Sequence, residues 1–382
     1  MIAAITVLAL SLVELPAQPP FTTQKMASAP TKSGSPVSKA ASFEQLSQAA
    51  DRARDENRSD DAIQLYQQGL AQRPAWKEGL WYLSTLLYEK ERYADSRDLL
   101  RRFVARDPQA GPGWALLGMS EFQTREYSRS LDHLQHAMLL GVGDRKEMAQ
   151  SVFYFVAVLR TRFEQFNEST SLLIAMVKSG QQPDPLVEPL GLAALRMPLL
   201  PAEIPADRRE LVQLAGRATL AVEAQRQDEA EALFRRMVDK YPEEPGVHFL
   251  LGAFLMDLRP ADGIRELQRE MEISPTSVAA RSRLAEQFIK DEKFDHALML
   301  AEQAVKLEPG NSAARLILGE ALVAKGDLAR GIQELEKARV QMPERVRTHW
   351  DLLRAYAAAG RMEDAKREKE TIESLSATAA RP

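Results

Sequence analysis

The sequence contains no cysteine and no long apolar run, and neither sign of charge predominates. Its 382 residues carry 50 basic and 54 acidic side chains, which gives a formal net charge of −4. The absence of cysteine excludes disulfide scaffolds, cysteine-ligated zinc, iron–sulfur clusters, thiol catalysis and a lipid anchor on an N-terminal cysteine. The balanced charge provides no basic face of the kind that nucleic-acid binding requires, so we expect no nucleic acid partner.

The most extended apolar stretch, Ile2 to Val13, lies near the N-terminus. It is too short for a bilayer-spanning helix, which needs about 20 residues, but typical of a signal-peptide core. No Lys or Arg precedes it, which departs from the usual positively charged start. We interpret residues 1–17 as a signal peptide and residues 18–42 as a flexible linker. The chain would then be exported, periplasmic or extracellular, with membrane contact only through an uncleaved N-terminus. It would be cytoplasmic if the run is not a signal.

Prolines and small residues recur at a fixed interval through most of the chain. The prolines are Pro74 and Pro108, and then Pro242, Pro275, Pro309 and Pro343. A small residue precedes each proline by the same distance, and the series continues where the proline is missing. Its members are Ala62, Ser96, Ser130, Ser169, Ala230, Gly263, Ala297, Gly331 and Ala365. Recurrence with a period of about 34 residues, typical of helical repeats, predicts an array of repeats and not a single core.

Each unit has the pattern of two amphipathic helices joined by a tight turn. Apolar residues recur at i, i+3, i+4 and i+7, for example in 312–325 and again in 328–341. The small residue suits the point where the two helices cross, because a larger side chain would force their axes apart. Proline ends the second helix, since it cannot continue the hydrogen-bond ladder. The sequence therefore predicts an all-α fold.

This pattern resembles the tetratricopeptide repeat family. The clearest units contain Trp114, Leu117, Gly118, Tyr127, Ser130, Leu134 and Ala137, and then Leu318, Gly319, Leu322, Gly331, Leu335, Ala338 and Pro343. The resemblance implies a right-handed α-solenoid of about nine helix-turn-helix repeats. We expect an N-terminal array over 43–180, a proline-rich joint over 181–206, a C-terminal array over 207–376 and a frayed tail over 377–382. The alternative is one continuous superhelix with a degenerate repeat.

No motif for catalysis or for a cofactor is present. His133 and His136 are one helical turn apart, but no HExxH motif exists and no third ligand lies nearby. We therefore expect solvent-exposed histidines and no metal. The sequence also lacks the GxxxxGK, GxGxxG and GxSxG motifs. We expect no cofactor and no enzymatic activity.

The family resemblance also implies a binding surface, because in that family the first helices of the repeats line a concave groove. Carried over to this sequence, it implies an aromatic groove formed by Trp81, Tyr82, Tyr88, Met119, Phe122, Tyr154 and Phe155. Such a groove suits the apolar side chains of a peptide or a partner helix. The alternative is that these aromatic residues only pack between helices. The corresponding positions of the C-terminal array, among them Glu286, Glu320 and Arg354, are mixed in character.

The sequence thus predicts a non-catalytic scaffold that binds other proteins, through a peptide or a partner helix, in its concave groove. The alternative function is an assembly factor that bridges components of a cell-envelope secretion, pilus or polysaccharide machinery.

Overall fold

The computed structural model describes residues 42–379, and all the secondary structure in this range is helical. The predicted signal peptide, and the predicted linker up to residue 41, lie outside the described residues. The all-α class is confirmed. The helices are α1 (Phe43–Asp55), α2 (Ser59–Gln72), α3 (Lys77–Glu89), α4 (Tyr93–Val104), α5 (Gly111–Gln123), α6 (Tyr127–Leu140), α7 (Lys146–Arg162), α8 (Phe166–Lys178), α9 (Val187–Ala194), α10 (Arg209–Glu223), α11 (Gln227–Lys240), α12 (Val247–Leu255), α13 (Pro260–Ile273), α14 (Val278–Lys290), α15 (Phe294–Leu307), α16 (Ser312–Ala324), α17 (Leu328–Gln341), α18 (Val346–Ala358) and α19 (Met362–Ala379).

These helices form consecutive pairs. In the described range, α1 to α8 make four pairs and α10 to α19 make five, so the predicted number of repeats is confirmed. Helices of one pair pack on each other, as α5 and α6 do, and within a unit the second helix packs on the first helix of the next pair, as α4 does on α5. First helices of neighbouring pairs also touch, as α5 does with α7 and α14 with α16. Each pair therefore buries its apolar faces against its neighbours.

The chain divides into two compact units after Arg209. The first contains α1 to α9, and the second begins with α10. The proline-rich segment 181–206 belongs to the first unit, where α9 packs on α7 and α8. Leu186 and Leu190 in this segment are fully buried. At the other end of the chain, α19 continues to Ala379, three residues into the predicted tail.

The small residues lie where the helices of a pair cross, and the backbones approach closely there. The hydroxyl of Ser96 on α4 donates a hydrogen bond to the carbonyl oxygen of Ser84 on α3, at 2.8 Å. Ser130 on α6 donates in the same way to Gly118 on α5, at 2.7 Å. At Gly331 on α17 an added Cβ would lie 3.0 Å from the backbone nitrogen of Val323. A larger residue at these positions would separate the helices.

The turn inside most pairs contains a residue with a left-handed backbone. These residues are Asn57, Glu91, Arg125, Glu164, Gln225, Glu292, Gly326 and Gly360, with φ between 56° and 93°. The next residue donates its N–H back into the first helix, as Arg92 does to the carbonyl of Leu87 at 2.8 Å. This closes the helix end in the manner of a Schellman motif. Six of these eight positions carry a side chain where glycine would be unstrained.

Successive repeats are joined by side chains that bond to the repeat-ending prolines. In four repeats the sixth residue after the proline contacts the carbonyl oxygen of that proline. The pairs are Trp114 with Pro108 (2.8 Å), His248 with Pro242 (3.0 Å), Arg315 with Pro309 (2.5 Å) and His349 with Pro343 (2.8 Å). Three of these side chains also contact a glutamate of the following second helix, each at 2.6 Å: His248 with Glu266, Arg315 with Glu334 and His349 with Glu368. Each of these three side chains thus connects the turn before its own helix to the helix that follows.

We expect Gly326→Ala to lower the free energy of unfolding by about 1–2 kcal/mol. The added methyl group would meet no atom within 4 Å, so the whole cost comes from the left-handed backbone at φ 93°. Gly310→Ala is the matched control, because that position is equally open but not left-handed. It should be neutral or stabilise by about 0.4–1 kcal/mol. Urea unfolding followed by circular dichroism measures both, and equal effects would contradict the assignment of the turn.

Candidate binding surfaces

The seven side chains predicted to line the groove do not share one environment. Trp81, Tyr82 and Phe122 are half-buried. The other four side chains are buried, with exposed fractions of 6% or less: Tyr88, Met119, Tyr154 and Phe155. The expectation that all seven offer an open surface is therefore corrected.

These side chains are buried because their rings pack against neighbouring helices, both within a repeat and between repeats. The ring of Phe122 on α5 lies 4.6 Å from that of Phe155 on α7, centroid to centroid. Tyr88 on α3 meets Tyr93 at the start of α4, at 5.1 Å. Burial raises the pKa of the Tyr88 and Tyr154 hydroxyls well above the usual tyrosine range. These aromatic rings fill the seams between helices, where they stabilise the array.

An open cavity of about 220 Å³ remains next to Trp81 and Tyr82. Its lining comes from α3, α4, the first turn of α5 with its preceding residue, and the residue just before α7. The lining residues are Lys77, Glu78, Trp81, Tyr82, Phe103, Ala110, Pro112, Gly113 and Arg145. The Trp81 and Phe103 rings lie 5.4 Å apart. An added Cβ at Gly113 would lie 2.6 Å from the Phe103 ring, so glycine allows that ring to rest against α5. The cavity therefore has an aromatic wall.

Neighbouring side chains fix the positions of the residues in this cavity. The guanidinium of Arg54 lies 3.8 Å from the centre of the Tyr82 ring. Arg54 also donates a hydrogen bond to the Tyr66 hydroxyl, which in turn donates to Asp51 at 2.7 Å. At the rim, Lys77 Nζ lies 2.6 Å from Asp107, and its hydrogen bond to that carboxylate raises the pKa of Lys77. These contacts hold the side chains of the cavity wall in fixed positions.

The sequence identified Trp81 and Tyr82 but missed the other walls of the cavity. Phe103 lies on the second helix of its pair, whereas the family resemblance implied a groove lined by first helices alone. Pro112, Gly113 and Arg145 carried no signal of their own. A search for aromatic residues on the second helix of the same pair would have found Phe103.

Of the two histidines expected to be exposed to solvent, His136 is exposed, as expected, whereas His133 is not. His133 is partly buried, and its Nδ1 lies 2.6 Å from the fully buried carboxylate of Glu121. Its ring lies 5.0 Å from that of Trp114, which the exposed His136 also contacts. His248 and His349 are buried in the repeat junctions. These contacts show structural uses for the imidazole rings.

The second unit presents a charged surface on its first helices. Arg347, on the first turn of α18, contacts Glu320 on α16 and Glu286 on α14. Glu320 is 13% exposed, and its burial raises its pKa to about 8, with the adjacent Asp351 as the next cause. Glu286 and Glu320 occupy predicted groove positions, but the sequence missed Arg347 as the residue that connects them.

Models of the tetratricopeptide repeat match residues 47–111 and 83–137 in the first unit, and residues 288–339 in the second. These matches show that both units contain tetratricopeptide repeats, in agreement with the helix pairs. Arrays of such repeats provide extended surfaces for binding other proteins, and the chain is an interaction scaffold of this class. No curated protein matches the sequence. No helix between residues 42 and 379 is both long and apolar enough to cross a membrane.

Solved structures with some likeness include three of MamA. "MamA RS-1 ArsTM double mutant" is 18% identical, with 44% of this chain and 94% of that chain covered and a TM-score of 0.39. "MamA MSR-1 C2" is 22% identical, with 46% and 100% covered and a TM-score of 0.36. "MamA 41-end from Desulfovibrio magneticus RS-1" is 18% identical, with 44% and 96% covered and a TM-score of 0.39. Likeness at this level bears neither on the arrangement of the repeats nor on function.

We expect the stability of the second unit to fall as pH rises towards 9. The folded state binds a proton on Glu320, with a pKa of about 8, which the unfolded chain releases near pH 4.5. The stabilising contribution is complete below pH 4.5 and is lost as pH rises through 8. Glu320→Gln removes this titration, so the melting temperature of the variant should depend less on pH between 6 and 9. Glu344→Gln, an exposed control, should behave like the parent. Parallel curves for all three proteins would refute the assignment.

Proposed function

We propose that the first unit captures a peptide or a partner helix by taking one apolar side chain into the cavity beside Trp81. The observation that supports this proposal is the aromatic wall of Trp81 and Phe103 around a space of about 220 Å³. That space accommodates one large side chain. Ligand sites commonly combine such an apolar wall with a few polar groups that fix orientation.

The rim of the cavity supplies those polar groups. Lys77, Glu78 and Arg145 are all exposed and line the same cavity as Trp81. Lys77 is already paired with Asp107. The rim therefore carries both signs of charge. It favours hydrogen bonds to the backbone of a bound segment and does not select a segment of high net charge.

The rigidity of the wall reduces the cost of binding. Trp81 rests on Phe103, and Tyr82 is held by Arg54 and lies 6.0 Å from Tyr66, ring centre to ring centre. Little side-chain freedom remains to be lost when a partner enters, so more of the contact energy contributes to affinity.

The proposed site is smaller than the groove expected from the sequence. Tyr88, Met119, Tyr154 and Phe155 are buried, so they would act through the shape of the array. Phe122 packs on Tyr127 and Phe155 and does not line the cavity. Binding is therefore assigned to Trp81, Tyr82 and Phe103. The function is non-catalytic, and the assembly-factor alternative stays a prediction.

The test is selection of peptides from a random phage-displayed library on the native chain. Selected peptides should carry an apolar anchor, and their affinity should fall by about 2 kcal/mol or more for Trp81→Ala, the scale of an interface hot spot. Calorimetry measures the affinity, and circular dichroism confirms that the variant is folded.

Leu139→Ala is the control for this experiment, since it truncates an apolar side chain that is 85% exposed on α6. It should leave affinity unchanged. Peptides that bind a folded Trp81→Ala variant as tightly as the parent would refute the proposal.

We also propose that the chain is exported, on the basis of the apolar run from Ile2 to Val13. Natively expressed protein should then begin near Gln18 and be recovered outside the cytoplasm. N-terminal sequencing of each cell fraction measures this. Recovery of chains that retain Met1, in the cytosolic fraction alone, would contradict export.

A further inference from the structure

Three carboxyl groups from three successive repeats of the second unit converge on one arginine. Arg347 donates from Nη1 to Glu286 at 2.8 Å, and from Nε and Nη2 to the two oxygens of Glu320 at 2.9 and 2.8 Å. Its Nε also lies 3.9 Å from Oδ2 of Asp351. The carboxyl groups come from α14, α16 and α18, so the cluster crosses the first-helix face of the unit.

The carboxyl groups lie below the surface, and one of their oxygens has no donor. The exposed fractions of the side chains are 20% for Glu286, 13% for Glu320 and 4% for Asp351. Oδ1 of Asp351 accepts a hydrogen bond from Arg354, but Oδ2 is buried and accepts none. A buried acceptor without a donor destabilises the folded chain. This oxygen faces the Arg347 guanidinium and the Glu320 carboxyl group.

Negative charge exceeds positive charge in the cluster once Glu320 is ionised. Besides Arg347, Arg354 pairs with Asp351, and Arg283 pairs with both Glu286 and Asp257. Four carboxyl groups therefore meet three guanidinium groups. Above the pKa of Glu320, about 8, all four are ionised and one negative charge is unmatched, whereas below it the protonated Glu320 leaves the charges balanced. An anionic ligand would increase this imbalance. The most exposed members of the cluster carry both signs of charge, since Asp257 and Arg354 are both exposed. The charge and the unpaired oxygen both favour a cation that can donate hydrogen bonds.

We propose that this cluster binds a lysine or arginine side chain of a partner protein, whose cationic head donates to Oδ2 of Asp351 and contacts Glu320. The cluster is then a second binding element of the scaffold, specific for a basic residue. It shares no residue with the cavity beside Trp81, so it does not depend on the function proposed for the first unit.

In the absence of a partner, a proton fills the same vacancy. Burial and the neighbouring Asp351 raise the pKa of Glu320 to about 8, because the protonated carboxyl can donate to the Asp351 carboxylate. A bound cation and this proton exclude each other. Binding of a basic residue should therefore be stronger at pH 9 than at pH 6.5. Lysine carries its charge at both pH values, so its own titration does not contribute to the difference.

The test uses an acetylated and amidated pentapeptide of glycine with one central lysine, and its counterpart with norleucine at that position. Binding to the full chain is followed by NMR of the Glu and Asp side-chain carboxyl carbons. The lysine peptide should shift the Glu320 and Asp351 resonances. Because a proton with a pKa of about 8 competes for the site, the peptide should bind about thirtyfold more tightly at pH 9 than at pH 6.5. The norleucine peptide should do neither.

Glu320→Gln should weaken lysine-peptide binding at pH 9 by tenfold or more and abolish its pH dependence. Its amide resembles the protonated carboxyl group, so the variant should fold, as circular dichroism would verify. Glu344→Gln makes the same change in net charge on an exposed residue outside the cluster and should bind as the parent does. Equal shifts with both peptides, pH-independent binding, or equal loss in the two variants would overturn the proposal.

Discussion

The two helices of each repeat can pack closely only because a small residue lies where they cross, and the rest of the structure depends on this contact. Ser96 and Ser130 show how close the backbones come, since each hydroxyl reaches a carbonyl oxygen of the partner helix. Close crossing directs the apolar faces of the pair against the neighbouring pairs. The contacts between repeats follow from this, and so does the packing of aromatic rings in these contacts.

Much of the fold could be predicted because its signals are local. Pro309 and Pro343 mark the repeat ends, and Ala297 and Gly331 mark the crossings, whatever the rest of the chain does. The turns were less visible, because most left-handed positions carry residues such as Glu91 in place of glycine. At these positions the stabilisation gained by closing the helix pair exceeds the cost of a left-handed backbone at a residue other than glycine.

The candidate sites could be predicted only in part. Whether a first-helix side chain faces a groove or the next repeat depends on the rotation between repeats, which the sequence pattern does not specify. Tyr88 and Tyr154 therefore could not be separated from Trp81. Phe103 reaches the cavity from a second helix. Arg347 finds its carboxylates 27 and 61 residues away, a separation at which local periodicity carries no information.

The span of Arg347 also changes how the second unit should come apart. In an ideal repeat array each unit interacts only with its immediate neighbours, so the ends fray one repeat at a time. The bond from Arg347 on α18 to Glu286 on α14 passes over the whole intervening repeat. Loss of the last pair therefore removes a support from a repeat that it does not adjoin. We therefore expect the three pairs from α14 to α19 to unfold as a longer cooperative block than nearest-neighbour packing alone would create.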